Sequence, residues 1–329
     1  MTTSISGPRK ASYALFALAL ILIARFNLGP CALAGLVSYM IMDLTERGLR
    51  RRGAKMRVAR WAALAMFAVM SVALSWIFVS FVRVGVSRLP VLLDTVLPRL
   101  TTLSSEWGYQ LPVDNALELR DLLVSSAKEN FASVSKTSGL LTRGFFLVLV
   151  GVFAAAMRFL TPPDTDSGSN LFEAVRAEFA ARVRLFVRSF ELVVGAQVAI
   201  STVNTCLTAI FLYAMGFPFK NFLILTTFVC GLVPIIGNII SNIAIVTAGL
   251  TVSVHLATFG LAYLVVIHKL EYLLNSRIIG GSIDTPMWMT LLGLVVGEAM
   301  MGVPGILLAP ALLHYARAEL RDLPAPATP

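Results

Sequence analysis

Residues 61–82 read WAALAMFAVMSVALSWIFVSFV and contain no charged side chain. A helix needs about 20 mostly apolar residues to cross the hydrocarbon core of a bilayer, so this stretch predicts a transmembrane span. Of the 329 residues, 57% are hydrophobic and 14% are charged, against roughly 45–50% and about 25% in soluble domains. The composition excludes a soluble single-domain enzyme, a disordered chain and a disulfide scaffold. It indicates an all-α polytopic membrane helix bundle.

Other apolar runs bring the expected number of spans to about eight. The first two are short and meet just before Pro30, so they either both cross the bilayer or form a re-entrant hairpin. The sixth and eighth contain internal glycine and proline, and we expect those helices to be broken. The eight runs are 12–28, 30–44, 61–82, 140–160, 190–215, 222–250, 256–274 and 287–315.

The loop before residue 61 decides the orientation, because cationic loops stay on the cytoplasmic side. Counting spans from this loop predicts that both termini are cytoplasmic and that region 83–139, where the charges balance, is extracytoplasmic. We therefore expect a multi-pass protein of the bacterial inner membrane. The net charge of +9 follows from such loops, and nucleic acid is not expected as a partner. The loop contains Arg47, Arg50, Arg51, Arg52, Lys55, Arg57 and Arg60.

Two segments are amphipathic rather than membrane-spanning. Leucines between Leu89 and Leu103 recur every three or four residues, and a second apolar set lies between Val113 and Val134, which predicts a helical extracytoplasmic insertion. It either covers the bundle passively or gates a substrate. The full predicted division is N-terminal spans 1–82, insertion 83–139, span 140–160, cytoplasmic interfacial linker helix 161–189, transport core 190–316 and tail 317–329.

Signatures of enzymes are missing from the sequence. It contains no GxxxxGK[ST] phosphate loop, no HExxH metal spacing and no GxSxG elbow. The three cysteines are far apart and lie in apolar runs. We expect no enzyme activity, no cofactor and no bound metal, so any transport draws its energy from a gradient.

Polar residues inside the apolar runs are the candidate functional residues. An Arg, Lys or Asp at the centre of a span costs roughly 2.5–3.5 kcal/mol, so such groups face the bundle interior, pair with one another or line a path. In the sixth run Pro234 should break the helix, and freed backbone groups of a broken helix can bind an ion or polar solute; a purely structural kink is an equal alternative. The candidates in this run are Gly231, Pro234, Gly237, Asn238 and Asn242.

Two further clusters follow toward the C-terminus. His268, Lys269, Glu271 and Arg277 lie together; His268 and Glu271 are three residues apart and can meet on one helix. Glu298 lies in the last apolar run without a nearby base, so it either pairs with another helix or carries a proton. The Gly293–Gly297 spacing matches GxxxG, which is typical of close helix packing.

At these clusters the chain resembles the autoinducer-2 exporter family of bacterial permeases. Gly216-Phe217-Pro218 is similar to the family's turn, and residues 232–237 (LVPIIG) to its Phe-Ile-Pro-x-x-Gly core. Residues 270–277 (LEYLLNSR) resemble Glu-Asn-Tyr-x-Leu-x-Pro-Arg, although Leu270 and Ser276 depart from it. The glycine-rich last span is similar at four positions, which are Gly297, Gly302, Gly305 and Pro310.

The resemblance implies transport more firmly than it implies cargo, since the family includes furanone exporters and sodium–proton antiporters. We expect a secondary transporter that exports a small polar solute past the three polar clusters, with Glu271 or Glu298 as proton or cation carrier. A monovalent cation–proton antiporter and a non-transporting membrane scaffold are the alternatives. The expected partners are the bilayer and a small polar solute or ion, and a homo-oligomer stays open.

Overall fold

The computed structural model of the chain describes residues 6–106, 125, 138–161, 170–234, 236–278 and 286–323. All regular structure in these ranges is helical, and five of the helices are long and apolar enough to cross a membrane. This confirms the predicted all-α polytopic membrane bundle. The helices are α1 Gly7–Arg25, α2 Gly29–Arg51, α3 Met56–Glu106, α4 Ser138–Leu160, α5 Leu171–Ala214, α6 Lys220–Gly231, α7 Ile236–Leu250, α8 Val254–Ile278, α9 Met287–Met301 and α10 Val303–Arg321.

The sixth and eighth apolar runs are both broken, as the glycine and proline positions predict. The sixth divides into α6 and α7 around Pro234, and the eighth divides into α9 and α10 at Gly302, where φ is +65°. Helices of 12 and 15 residues rise about 18–22 Å at 1.5 Å per residue, against a hydrocarbon core of about 30 Å. Each half of the broken sixth run, α6 and α7, therefore reaches only part of the way across the hydrocarbon core.

Two helices are longer than the sequence pattern predicts. The α3 helix has 51 residues and continues without interruption from the third span into the first amphipathic segment. The α5 helix has 44 residues and joins the predicted interfacial linker helix to the fifth span. The second amphipathic segment, Val113–Val134, and the turn cluster at 162–169 lie outside the described residues, apart from residue 125.

The chain divides into two compact units, and α3, α4 and α5 each contribute to both. Unit 1 comprises Met1–Met70, Arg143–Ala196 and Ser282–Pro329; unit 2 comprises Ser71–Thr142 and Gln197–Gly281. In unit 2, α6, α7 and α8 pack in sequence around a core that includes Phe217, which is 1% exposed, and Ile245. In unit 1, α9 packs against α10, and α10 against α2.

Close backbone contact between two glycines holds the α9–α10 hairpin together. A Cβ atom on Gly305 would overlap the carbonyl oxygen of Gly297, and a Cβ atom on Gly297 would lie 2.5 Å from the carbonyl oxygen of Gly305. The contacting atoms belong to the backbone, so no rotamer change can relieve the overlap. This is the close approach that small residues permit between membrane helices.

The Gly305→Ala variant is expected to lose about 1–3 kcal/mol of stability, because the added methyl group forces the two helices apart. Gly144→Ala is the matched control, since a Cβ atom there meets nothing within 4 Å and alanine favours a helix over glycine. Thermal unfolding of the purified protein in detergent measures both variants. Equal midpoints for the two would contradict the contact.

Candidate functional site

The carboxylate of Glu271 on α8 is the centre of a polar cluster in unit 2. Asn238 of α7 donates from Nδ2 to both carboxylate oxygens, at 3.0 and 3.1 Å. Asn204 of α5 donates to Oε2 at 3.2 Å. The Glu271 side chain is only 14% exposed, so these amides replace water as its hydrogen-bond partners. Three helices thus converge on one carboxylate.

An imidazole and a further amide extend the cluster. His268 lies one turn before Glu271 on α8, and its Nδ1 is 3.4 Å from the Glu271 Oε2. Its Nε2 is 2.7 Å from the Asn242 Nδ2. The His268 side chain is 39% exposed. The arrangement forms a chain of polar groups from Asn242 through His268 to Glu271, in which the imidazole is more exposed than the carboxylate.

The break between α6 and α7 is stabilised by donors from the protein itself. The last four carbonyls of a helix have no partner within it, yet each of those in α6 accepts a hydrogen bond. The backbone N–H groups of Leu232 and Val233 donate hydrogen bonds to the carbonyls of residues 229 and 230, at 3.3 and 2.8 Å. The Ser201 hydroxyl of α5 donates to the carbonyl of residue 228 at 2.8 Å, and the Gln197 amide donates to the carbonyl of Gly231 at 2.6 Å. Each of these carbonyls thus has a partner in the protein, whereas the Glu271 carboxylate is the ionisable group that the three helices surround.

Two glycines allow close approaches at the break, Gly237 between α7 and α6 and Gly231 between α6 and α5. A Cβ atom on Gly237 would overlap the backbone oxygen of Cys230, and one on Gly231 would lie 2.6 Å from the Ser201 Oγ. Asn238 follows Gly237 in the first turn of α7. The close approach therefore fixes where the Asn238 amide lies. A carboxylate near the N-terminal turn of a helix is also stabilised by the helix dipole.

A polar stripe on α5 is the part of the site that the sequence analysis missed. Its spacing of four, three and four residues places the side chains on one helix face, and all of them bond to other helices of unit 2. Thr208 lies 3.1 Å from the Tyr263 hydroxyl. The signal was present in the sequence, but it lay inside the apolar run 190–215. The stripe consists of Gln197, Ser201, Asn204 and Thr208.

The other predicted residues lie elsewhere. Lys269 is exposed and does not join the cluster. Arg277 is in α8, but its side chain lies outside the described residues. Glu298 belongs to unit 1, where its side chain is exposed and has no ion-pair partner within the described ranges. Gly216, with φ of +68°, and Pro218 lie between α5 and α6, and Pro310 lies inside α10.

Asn204→Ala is expected to reduce transport about tenfold, since a hydrogen bond to a charged group contributes about 1.5–3 kcal/mol. Thr202→Ala is the control, because Thr202 is on the exposed face of α5 and bonds only to the carbonyl of Val198 in its own helix. Solute flux into proteoliposomes measures the difference. Loss of flux in both variants, or in neither, would contradict a role for the stripe in the site.

Comparison with known proteins finds similarity to membrane transport proteins. The profile of the family described as "AI-2E family transporter" matches residues 11–324. The chain is also similar to a Bacillus subtilis (strain 168) protein named "Putative transport protein YdbI", with 31% identity over 125 residues. That match covers 37% of this chain and 36% of the relative, so the chain spans about a third of the length of the curated relative it matches.

Proposed function

Because the chain belongs to the AI-2E transporter family, a family of membrane permeases, we propose that it moves a small polar solute or ion past the carboxylate of Glu271. The observation that carries the proposal is the convergence of Asn204, Asn238 and His268 on that carboxylate. Burying an ionisable group among membrane helices is costly. A buried ionisable group of this kind is typical of a path along which a polar solute or a proton crosses the membrane.

The cluster has the chemistry of a coupling site. Glu271 can hold a proton or a cation, and His268 is its more accessible neighbour, with ring nitrogens that can accept or donate a hydrogen bond. The sequence has no phosphate-binding loop, so we propose that a proton or sodium gradient supplies the energy. Glu298 stays the second candidate carrier. The same proposal includes export across the bacterial inner membrane, with both termini in the cytoplasm. In it the chain acts alone or as a homo-oligomer.

Flux measurements in proteoliposomes test the proposal. The purified chain is reconstituted with and without a pH or sodium gradient, and counterflow of autoinducer-2 is measured as the first candidate solute, followed by other small polar solutes. We expect gradient-stimulated counterflow of at least one of them. Reconstituted, folded protein that moves no solute and no ion under either gradient would overturn the assignment.

The contact between His268 and Glu271 favours cation–proton antiport as the second candidate, since both groups can release protons into the same site. A pH-sensitive dye inside the vesicles separates the two functions. Proton movement on addition of sodium or lithium, with no solute present, would assign antiport. A non-transporting scaffold would instead keep its function when Glu271 is substituted and lose it when region 83–139 is removed.

A further inference from the structure

Unit 1 contains a second candidate site that the transport proposal does not use. A cavity of about 100 Å³ lies where the C-terminal halves of α2 and α4 meet the first turns of α3. This is far more than the roughly 10–15 Å³ that a single water needs. The walls carry both signs of charge, and their main residues are Tyr39, Asp43, Glu46, Arg60, Arg158 and Phe159.

The two arginines have hydrogen-bond donors to spare. The Nε atom of Arg60 is buried and has no hydrogen-bond partner among the described residues, and its ion-pair contact is to Glu46 Oε2 at 3.5 Å. Arg158 is exposed and has no ion pair within the described part of the chain. Guanidinium groups bind phosphate through paired hydrogen bonds. Arg60 and Arg158 therefore provide the chemistry for one phosphate group.

The carboxylates show that a simple anion is not the best match. Asp43 and Glu46 line the same cavity, and each is only partly neutralised from outside it. Arg47 is shared between Asp43 and Glu191, and Arg50 lies 3.8 Å from Glu46. A carboxylate in the wall repels a phosphate but attracts an ammonium group. A ligand that carries both charges would satisfy all four side chains.

A face of α4 points to the source of that ligand. Phe146, Val150 and Ala154 precede Arg158 at intervals of four residues, so they share one helix face with it, and all three are exposed. This apolar stripe ends at Arg158. A soluble ligand would leave this stripe uncovered, whereas the acyl chains of a phospholipid would pack along it.

We propose that the cavity binds the phosphoethanolamine headgroup of a membrane phospholipid, with the phosphate at Arg60 and Arg158 and the ammonium at Asp43 and Glu46. The cavity lies beside the cationic loop that we expect in the cytoplasm, so the lipid belongs to the inner leaflet. The site is independent of Glu271, and its test does not depend on transport.

Native mass spectrometry of the full chain in detergent tests the proposal with three lipids of equal acyl length. We expect phosphatidylethanolamine to bind about tenfold more tightly than phosphatidylcholine, whose trimethylammonium cannot donate hydrogen bonds, and more tightly than phosphatidylglycerol. Arg158→Gln should lower this affinity about tenfold, and Arg184→Gln should leave it unchanged. Arg184 is the matched control because it is also exposed and lacks an ion pair within the described residues.

Asp43→Asn separates the two ends of the headgroup. It should weaken binding of phosphatidylethanolamine and strengthen binding of phosphatidylglycerol, because it removes a charge that attracts an ammonium group and repels a phosphate. Equal affinity for all three lipids, or equal effects of Arg158→Gln and Arg184→Gln, would overturn the site. Soluble phosphoethanolamine or inorganic phosphate that binds as tightly as the lipid would overturn the lipid as its source.

Discussion

Replacing Glu271 by glutamine is expected to lower gradient-coupled flux about 100-fold. The variant keeps the size of the side chain but removes its charge and its exchangeable proton. It also replaces one acceptor oxygen by an amide that faces the donors of Asn204 and Asn238. Losing two hydrogen bonds to a charged group corresponds to about 3 kcal/mol, which is roughly 100-fold in rate or affinity.

Glu173→Gln is the matched control for this loss. Glu173 lies in the first turn of α5 and pairs with Arg176 one turn away, so its neutralisation should leave flux unchanged. Glu298→Gln, measured in parallel, tests the other candidate carrier. If Glu271→Gln retains coupled flux while Glu298→Gln abolishes it, the carrier is Glu298 and the assignment of Glu271 is wrong.

Replacing Glu319 by alanine is expected to destabilise unit 1 by about 3 kcal/mol. The Glu319 carboxylate joins α10 to α1 and α5, because it accepts from Tyr13 at 2.6 Å and from Arg9 at 3.2 Å, and lies 3.5 Å from Arg182. Arg182 is 3% exposed. Removing one partner of a buried pair leaves an uncompensated charge, which costs about 3–5 kcal/mol; Arg182 keeps Glu178, so we expect the lower end.

Thermal unfolding in detergent measures this effect, and Glu173→Ala serves as its control. The control removes one partly exposed ion pair within a single helix, which contributes about 1 kcal/mol or less. Glu319→Gln should be intermediate, since its amide oxygen still accepts from Tyr13. A midpoint for Glu319→Ala equal to that of Glu173→Ala would contradict the role of the buried network.

Local features of this fold could be predicted from sequence because single residues cause them. Pro234 removes a backbone donor and Gly302 adopts positive φ, and the helices break at both. The spacing of His268 and Glu271 likewise predicts their proximity on one helix turn. By contrast, no break separates residue 82 from 83, since a change from an apolar to an amphipathic pattern does not interrupt backbone hydrogen bonding.

The assembly of the candidate site could not be predicted, because it depends on packing between distant segments. Asn238 and Glu271 are 33 residues apart, and Asn204 is 67 residues from Glu271. Their contact requires α5, α7 and α8 to meet at one level. The apolar residues around Asn204 also masked its signal in the sequence, whereas Glu298, conspicuous by its charge, belongs to unit 1 and not to the unit that contains Glu271.

Thiol labelling at position 242 tests most directly whether a polar path runs beside Glu271. In a background without Cys31, Cys206 and Cys230, Asn242→Cys is compared with Ile243→Cys. The Ile243 side chain is 61% exposed on the apolar surface of α7. A charged thiol reagent is added to either side of vesicles. We predict that position 242 reacts and that a transported solute slows the reaction, while position 243 does not react. No reaction at position 242 from either side would contradict the account.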